Sequence, residues 1–388
     1  MGEDRPLVTV VMPVFDGMRW LGATAASVAA QRGVRLQRMA IDDGSGDGSG
    51  EFLRRAGWTV LETARTGPNV ARRVALEQAQ GDLVAMLDQD DLWHPDHLAL
   101  ANAALRDRPT APAAVGPRLT FGDTVPPPRL GGARRGPGSF DPWAAYPINL
   151  IDAPSMVVIR REALTAAGGW PADRPLGADS LAWWRLSAAA PFAVLASRTV
   201  GVRRSPESLS AVRRERPLEY LRHLTRAAHD ALDARPEAER PRLDATGSAI
   251  LAALGGLAAA TLDVRSVAAE AAALERSLAG SAAPLVVAAV GFLGWLVGPA
   301  LRSPRYDGRD PVELLLETWP AAAPRTRAEA RRALGAIVGS PRAFRSALRG
   351  PLRPGRLALA AAACAHAFAG RMGRVSDPLS LRFPPPIP

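Results

Sequence analysis

Acidic side chains recur in the first quarter of the chain, each time directly after a short apolar run. Asp16 closely follows the first run, Asp42 and Asp43 follow the second, and Asp88–Asp91 (DQDD) follows the fourth. Carboxylates that are brought together repel one another unless a positive group lies among them. The pattern therefore predicts a divalent metal at this place, together with a nucleobase or ribose that donates hydrogen bonds.

The elements that position these residues alternate in type along the chain. Short apolar runs typical of buried strands occupy Leu7–Met12, Arg38–Asp42, Thr59–Glu62 and Leu83–Leu87. Segments with apolar residues at helical spacing lie between them, at Met18–Gln31, Ser49–Ala56 and Val70–Gln80. This alternation predicts an α/β fold with a mainly parallel sheet covered on both faces. In such sheets ligands bind beyond the carboxyl ends of the strands, which is where the acidic residues stand.

Asp88 and Asp90 are two residues apart on a predicted extended turn, so both side chains can approach one cation. Diphosphate oxygens would complete its coordination, and a set of hard oxygen ligands suits Mg²⁺ or Mn²⁺. The alternative is an acidic cap on a helix that starts near Pro95. His94 and His97 have a spacing that suits a metal on a helix, but no third ligand is near, so we expect a surface role for them.

Other kinds of site fit the same residues poorly. The run Asp43–Gly48 begins like a calcium loop, but its twelfth position is Arg54, where a bidentate Glu is required. A dinucleotide fingerprint would need glycine at Ser49. Nucleophilic hydrolysis also has little support, because no G-x-S-x-G elbow is present and the single cysteine, Cys364, lies in an Ala-rich stretch.

Several blocks, taken in order, resemble the family 2 glycosyltransferases, which have the GT-A fold. They are Val10–Asp16 (VVMPVFD), Asp42–Ser49 (DDGSGDGS), Gly67–Arg73 (GPNVARR), Leu87–Pro95 (LDQDDLWHP), Gly168–Leu186 and Arg203–Ser210. The resemblance covers about residues 7–210. It implies transfer of a sugar, with inversion, from a nucleoside diphosphate sugar such as a UDP-, GDP- or dTDP-sugar to an acceptor hydroxyl. The acceptor class it suggests is a saccharide or a lipid-linked sugar of the cell envelope.

The resemblance also assigns roles to individual residues. Nucleotide contacts are expected from Pro13, Phe15, Asp42, Asp43, Arg72 and Asp88. Asp42 is expected to contact the base, Asp90 to bind the metal directly, and Asp88 to contact the metal or the ribose. Two alternatives stay open: the Asp42–Asp43 pair as a turn that caps the helix near Ser49, and Arg72 as a solvated helix residue.

The resemblance places the catalytic base at Asp179. Inverting transfer needs a carboxylate that removes the acceptor proton on the side of the sugar opposite the leaving diphosphate. Asp179 follows Gly168-Gly169-Trp170 and opens the helix that contains Trp183–Leu186. The alternative is that Asp179 only caps this helix. Asp173 and Asp152 are the next candidates for the base.

Two positions depart from the family pattern. Ala178 stands where the family usually has a second acidic residue, and Ser205 stands where it often has a histidine. Arg203 or Arg204 would substitute electrostatically for that histidine. These departures keep a second function open, namely a nucleotide-sugar-binding protein of the same fold with lost or altered turnover.

Composition favours two regions in this chain of 388 residues. We expect a catalytic domain at residues 1–215, with strands at Met156–Arg160 and Phe192–Ala196 and a long loop or lid at Pro109–Pro147. Residues 216–388 are expected to form an Ala- and Arg-rich helical C-terminal region. Within it, Leu285–Leu301 carries no charge and is at the short limit of a bilayer span of about 17–25 residues, so a core or interfacial helix is favoured.

The formal net charge is +10 and every basic residue apart from the histidines is arginine. Arg-rich stretches at residues 325–332, 342–356 and 371–374 suit an anionic lipid surface, although a solvated helix face explains them equally well. No aromatic and basic module for nucleic acid is visible. With no visible signal peptide and one cysteine, we expect a cytoplasmic protein, peripheral at the inner face of the cell membrane.

Overall fold

The computed structural model describes residues 5–122, 138–151, 153–205 and 216–259, together with Ser277. Its central sheet has eight strands: β1 (Leu7–Val14), β2 (Arg35–Asp42), β3 (Thr59–Glu62), β4 (Leu83–Met86), β6 (Ala113–Val115), β8 (Gly138–Phe140), β9 (Val157–Arg160) and β10 (Phe192–Val194). A smaller sheet contains β5 (Leu92–Trp93), β7 (Arg118–Phe121) and β11 (Val200–Arg203).

The strand order in the central sheet is β3-β2-β1-β4-β9-β6-β10-β8. The first four strands are parallel, and β9 runs antiparallel to both of its neighbours. Every residue of β1 from Val8 onward is buried, because helices cover the sheet on both faces. The prediction of a mainly parallel α/β sheet is confirmed.

The helices before residue 188 are α1 (Met18–Ala29), α2 (Ser49–Arg55), α3 (Pro68–Glu77), α4 (His97–Asp107), α5 (Arg161–Ala166) and α6 (Ala178–Ser187). The three helices predicted between the first four strands are therefore present. The third begins two residues earlier than predicted, because Pro68 is accommodated in the first turn, where its missing N–H costs no helical bond.

The prediction of a long loop at Pro109–Pro147 is wrong for the part that the structure describes. It forms β6, β7 and β8, followed by a 3-10 turn at Pro142–Ala145. These strands have only three or four residues each, and β6 is Ala113–Val115, so they show no apolar run long enough to stand out in the sequence. Pairing with β9, β10 and β11 stabilises them instead. Residues 123–137 of the predicted loop lie outside the described residues.

Two further helices, α7 (Pro217–Ala231) and α8 (Arg240–Ala259), confirm the helical prediction for residues 216–259. The buried face of α7 packs against α6, so this part of the C-terminal region contacts the sheet domain directly. The boundary near residue 215 stays a prediction, and Leu285–Leu301 and the Arg-rich stretches lie outside the described residues. Within residues 5–122, 138–151, 153–205 and 216–259, none of the helices combines the length and hydropathy needed to cross a bilayer.

Candidate functional site

The carboxyl ends of β1, β2 and β4 meet at one edge of the sheet, as the parallel pairing requires. Val14 at the end of β1 lies opposite Asp42, and Val11 lies opposite Met86. The chain then turns immediately, with Asp43 N donating to Val14 O at 2.8 Å. The acidic residues that follow the three strands are therefore gathered at one place.

Gln89 ties the end of β1 to the acidic turn after β4. Its side-chain Oε1 accepts from Phe15 N at 2.9 Å and its Nε2 donates to Phe15 O at 3.0 Å. A Cβ on Gly17 would lie 2.6 Å from the same Oε1, so this contact requires glycine at residue 17. Sequence reasoning treated Gln89 only as a spacer. Its partner is backbone 74 residues away, which no local pattern signals.

The loops after β1 and β2 are joined by Asp47. Its Oδ2 accepts from Met18 N at 2.9 Å, and its Oδ1 accepts from Ser49 N at 3.0 Å. One carboxylate therefore accepts hydrogen bonds from the first backbone N–H of α1 and of α2. Burial works to raise the pKa of Asp47, but the hydrogen bonds from Ser49 and Met18 outweigh it and the pKa is lowered. The capping role considered for the Asp42–Asp43 pair thus belongs to Asp47.

Asp43 fixes the loop that leads into α3. One oxygen accepts from Thr63 Oγ1 and Thr66 N, both at 2.7 Å, and the other accepts from Gly67 N at 2.7 Å. Burial works to raise the pKa of Asp43, but these donors outweigh it and lower the pKa. Asp42 is also buried, and its Oδ1 accepts from Ser45 N at 2.9 Å.

Arg72 is buried at 6% exposure, which excludes the solvated alternative. Its guanidinium contacts Asp88 Oδ1 at 2.5 Å and Asn69 Oδ1 at 3.1 Å. It also lies 5.5 Å from the centre of the Trp170 ring. Trp170 in turn packs edge-on against Trp183 of α6, with ring centres 5.6 Å apart. Arg72 therefore connects the acidic turn to the segment that carries Asp179.

The acidic turn Asp88–Asp91 holds carboxylates in a partly buried setting. Burial first, and then the charge of Asp88, raise the pKa of Asp90 to about 6, while Arg203 and Arg204 oppose the rise. Burial first, and then the charges of Asp90 and Asp88, raise the pKa of Asp91 well above its ordinary value. The acidic turn is not the N-cap of α4, because α4 begins at His97 and its N-cap is Asp96. The side chain that accepts from the first turn of α4 is that of Gln31, whose Oε1 accepts from Leu98 N at 3.1 Å.

Arg203, at the end of β11, holds this turn from the other side. Its backbone N donates to Asp91 Oδ1 at 2.8 Å and its Nε donates to Asp90 O at 3.0 Å. The guanidinium lies 4.0 Å from the centre of the Trp20 ring and 4.4 Å from that of Phe121. A positive charge is thus fixed beside Asp90, and its substitution for a histidine stays a prediction.

Asp179 lies in the first turn of α6, after Gly177 at the N-cap with a φ of 78°. The N-cap residue is Gly177, which has no side chain to cap the helix, and Asp179 is the second residue of α6. Asp179 is therefore not the N-cap residue. Its Oδ2 accepts from Asn149 Nδ2 at 3.2 Å. Asp173 is turned toward Arg174, at 3.1 Å, and Asp152 lies outside the described residues.

A known protein family matches the part of the chain that holds most of these residues. Residues 9–167 match the model of glycosyl transferase family 2. The resemblance predicted from the sequence is therefore confirmed for this segment. The nucleotide and metal candidates lie within the family 2 segment, whereas Asp179 and Arg203 lie beyond its end.

Curated relatives are similar to part of the chain. A putative teichuronic acid biosynthesis glycosyltransferase, TuaG of Bacillus subtilis, is 33% identical over 129 residues, covering 31% of this chain and 51% of TuaG. The UDP-Glc:alpha-D-GlcNAc-diphosphoundecaprenol beta-1,3-glucosyltransferase WfgD of Escherichia coli is 29% identical over 101 residues, covering 25% and 40%. The chain thus spans about half the length of these relatives or less.

Solved structures extend the likeness beyond the family 2 segment. TarS of S. aureus, in complex with UDP-GlcNAc, has a TM-score of 0.53 at 14% identity, covering 77% of this chain and 88% of that one. The mannosyltransferase PcManGT from Pyrobaculum calidifontis, in complex with GDP-Man and Mn²⁺, has a TM-score of 0.50 at 20% identity, covering 94% and 88%. At such identities the comparison shows the fold, which is GT-A.

Pro13 is buried within β1 opposite Ile41, and its contact with a nucleotide stays a prediction. One prediction for a histidine needs correction. His97 does not have a surface role: it is fully buried, with Nδ1 2.8 Å from Thr199 Oγ1. Burial lowers the pKa of His97 to about 3, so the ring is neutral.

Proposed function

We propose that this protein transfers a sugar from a nucleoside diphosphate sugar to an acceptor hydroxyl, with inversion at the anomeric carbon. The observation that carries the proposal is the acidic turn at the carboxyl end of β4, where burial and then the charge of Asp88 raise the pKa of Asp90 to about 6. Crowded carboxylates of this kind suit a cation that neutralises them. The family 2 match and the GT-A fold support the same activity.

The donor set at Asp88 and Asp90 fits Mg²⁺ or Mn²⁺ held jointly with substrate. Among the residues that the structure describes, no group of three or more His, Cys, Asp or Glu side chains is arranged to hold a metal. Magnesium commonly binds through one or two carboxylates and completes its shell with waters and phosphate oxygens. A cation held here supplies positive charge beside the leaving diphosphate. Mn²⁺ in PcManGT supports this assignment.

The nucleotide side of the proposed site is formed by Phe15, Asp42, Asp43 and Arg72. Phe15 is 40% exposed, and the Arg65 guanidinium lies 4.9 Å from the centre of its ring, which gives a flat surface for a base. Asp42 contacts the base, while Asp43 positions the adjoining loop through Thr63, Thr66 and Gly67. Arg72 holds Asp88 and orients it toward the metal or the ribose.

Asp179 acts as the general base. Its carboxylate accepts the proton of the acceptor hydroxyl as the hydroxyl oxygen forms a bond to the anomeric carbon and the bond to the diphosphate oxygen breaks. Three features support this role, since a base works only if its geometry is fixed. Asp179 lies on a helix, it accepts a hydrogen bond from Asn149, and Trp183 of the same helix packs against Trp170.

The acceptor is a saccharide or a lipid-linked sugar of the cell envelope, as the names of TuaG and WfgD suggest. The chain reaches such acceptors at the inner membrane surface through the Arg-rich stretches after residue 325. Fractionation at low salt tests this by comparing the full chain with one truncated after residue 259, which retains α7 and α8. Equal partition of both chains would contradict membrane association.

The rival function is donor binding without turnover, which Ala178 and Ser205 keep open. Release of nucleoside diphosphate from UDP-, GDP- and dTDP-sugars with Mn²⁺ separates the two functions. We expect slow release by the wild type and none by Asp90→Ala, with Asp107→Ala, an exposed residue at the end of α4, as the matched control. Binding of a donor without any release would favour the rival.

A further inference from the structure

Asn149 is held in one orientation next to Asp179. Its Oδ1 accepts from Ile151 N at 2.8 Å, so the amide oxygen is committed to the backbone. The Nδ2 end therefore faces Asp179 and donates to its Oδ2 at 3.2 Å. An amide with one oxygen acceptor and one NH₂ donor group is oriented by such a pair of contacts.

The two residues share one rigid frame of aromatic side chains. Trp143, six residues before Asn149 in the chain, donates from Nε1 to Trp184 O of α6 at 2.8 Å. Its ring stacks on Tyr146 with centres 5.0 Å apart, and Tyr146 packs edge-on against Trp184 at 5.3 Å. The hydroxyl of Tyr146 donates to Ala228 O of α7 at 3.1 Å. The segment that carries Asn149 is thus bound to the helix that carries Asp179.

We propose that Asn149 is a positioning residue for the proposed catalytic base. It holds the Asp179 carboxylate in the rotamer that removes the proton from the hydroxyl of the acceptor substrate. This inference rests on the proposed function. An Asn at this place donates a hydrogen bond to the ionised carboxylate and adds no charge of its own. It therefore fixes the base without competing for the proton.

Other titratable groups lie on the elements around the start of α6. They include Arg185 on α6, Asp173 and Arg174 in the preceding loop, and His223 and Asp230 on α7. Arg174 lies 3.1 Å from Asp173 and 2.7 Å from Asp230, so these three form a cluster of their own. His223 presents its backbone oxygen to Gly177, 3.2 Å from the site of a Cβ there. Any test based on pH must separate His223 from Asp179.

The isosteric variant Asn149→Asp gives a direct test in the full-length protein. The new carboxylate keeps an oxygen for Ile151 N and turns its second oxygen toward Asp179. Two carboxylates so close share a proton, so the acid limb of the pH profile of kcat should move upward by about one unit or more. The donor KM should stay near the wild-type value. His223→Gln is the control and should leave that limb in place.

An Asn149→Asp enzyme with the wild-type pH profile would overturn the proposal. If this variant does not fold, Asn149→Ala decides: a fall in kcat of about 10- to 100-fold at unchanged donor KM supports positioning, and wild-type kcat refutes it. Asp179→Asn distinguishes the two levels of the argument. If Asp179→Asn itself keeps full turnover, the assignment of the base fails, whatever Asn149 does.

Discussion

Asp179→Asn separates catalysis from helix stability at the proposed base. The substitution preserves the shape of the side chain and removes its charge. In the structure Asp179 lies in the first turn of α6, inside an N-cap formed by Gly177, and accepts one hydrogen bond from Asn149 at 3.2 Å. An amide oxygen can still accept that bond, so the variant keeps the contact and loses the base.

The expected magnitudes differ enough to decide between the two roles. Loss of a carboxylate from the first helical turn costs about 0.3–1 kcal/mol, because the charge interacts with the helix dipole. For a domain of this size that is a fall in Tm of about 1–4 °C. Loss of a general base lowers the rate by about 10²–10⁴-fold, or roughly 3–5 kcal/mol of transition-state stabilisation.

The assay measures turnover of a donor and acceptor pair at saturation, alongside thermal unfolding and nucleotide affinity. We expect Asp179→Asn to bind nucleotide as the wild type does while turnover collapses. Asp173→Asn is the matched control, because Asp173 is exposed and paired with Arg174. Turnover of Asp179→Asn near the wild-type rate would refute the reasoning, and a collapse in Asp173→Asn instead would move the base to Asp173.

Two further predictions concern stability. His97 has a folded-state pKa of about 3 against an ordinary 6.5, so the unfolded chain takes up the proton first and stability falls as the pH drops from about 6.5 toward 3. At about pH 5 the loss from this group is about 2 kcal/mol, and urea unfolding should show a flatter pH dependence in His97→Gln; equal slopes would contradict the account. Asp43→Asn turns an amide group toward the donors Thr63, Thr66 and Gly67. It should lower the free energy of unfolding at neutral pH by about 1.5–3 kcal/mol, and a change below about 0.5 kcal/mol would show that these bonds contribute little.

The sequence predicts the sheet and its edge well because both depend on local patterns. Continuous apolar runs are typical of strands covered on both faces, and β1 through β4 lie where those runs lie. Once the strands are parallel, their carboxyl ends must share one edge. Asp42, Asp43 and Asp88 are therefore placed together by topology alone.

Contacts between distant segments were not predictable in this way. Gln89 bonds the backbone of Phe15, Asp47 serves two helices, and Asn149 faces Asp179 across 30 residues. None of these side chains has a spacing that signals its partner. The short strand β6 likewise depends on neighbours from later in the chain, which is why its alanines resembled a loop.

Calorimetric titration of the protein with UDP, GDP and dTDP, each with and without Mn²⁺, tests the central claim most directly. The acidic turn at Asp88 and Asp90 should require a cation before it accepts a diphosphate, because its carboxylates otherwise repel the ligand. We expect at least one nucleotide to bind about tenfold or more tightly with Mn²⁺, an enhancement that Asp90→Ala abolishes. Absence of metal-dependent binding for all three nucleotides would contradict the account.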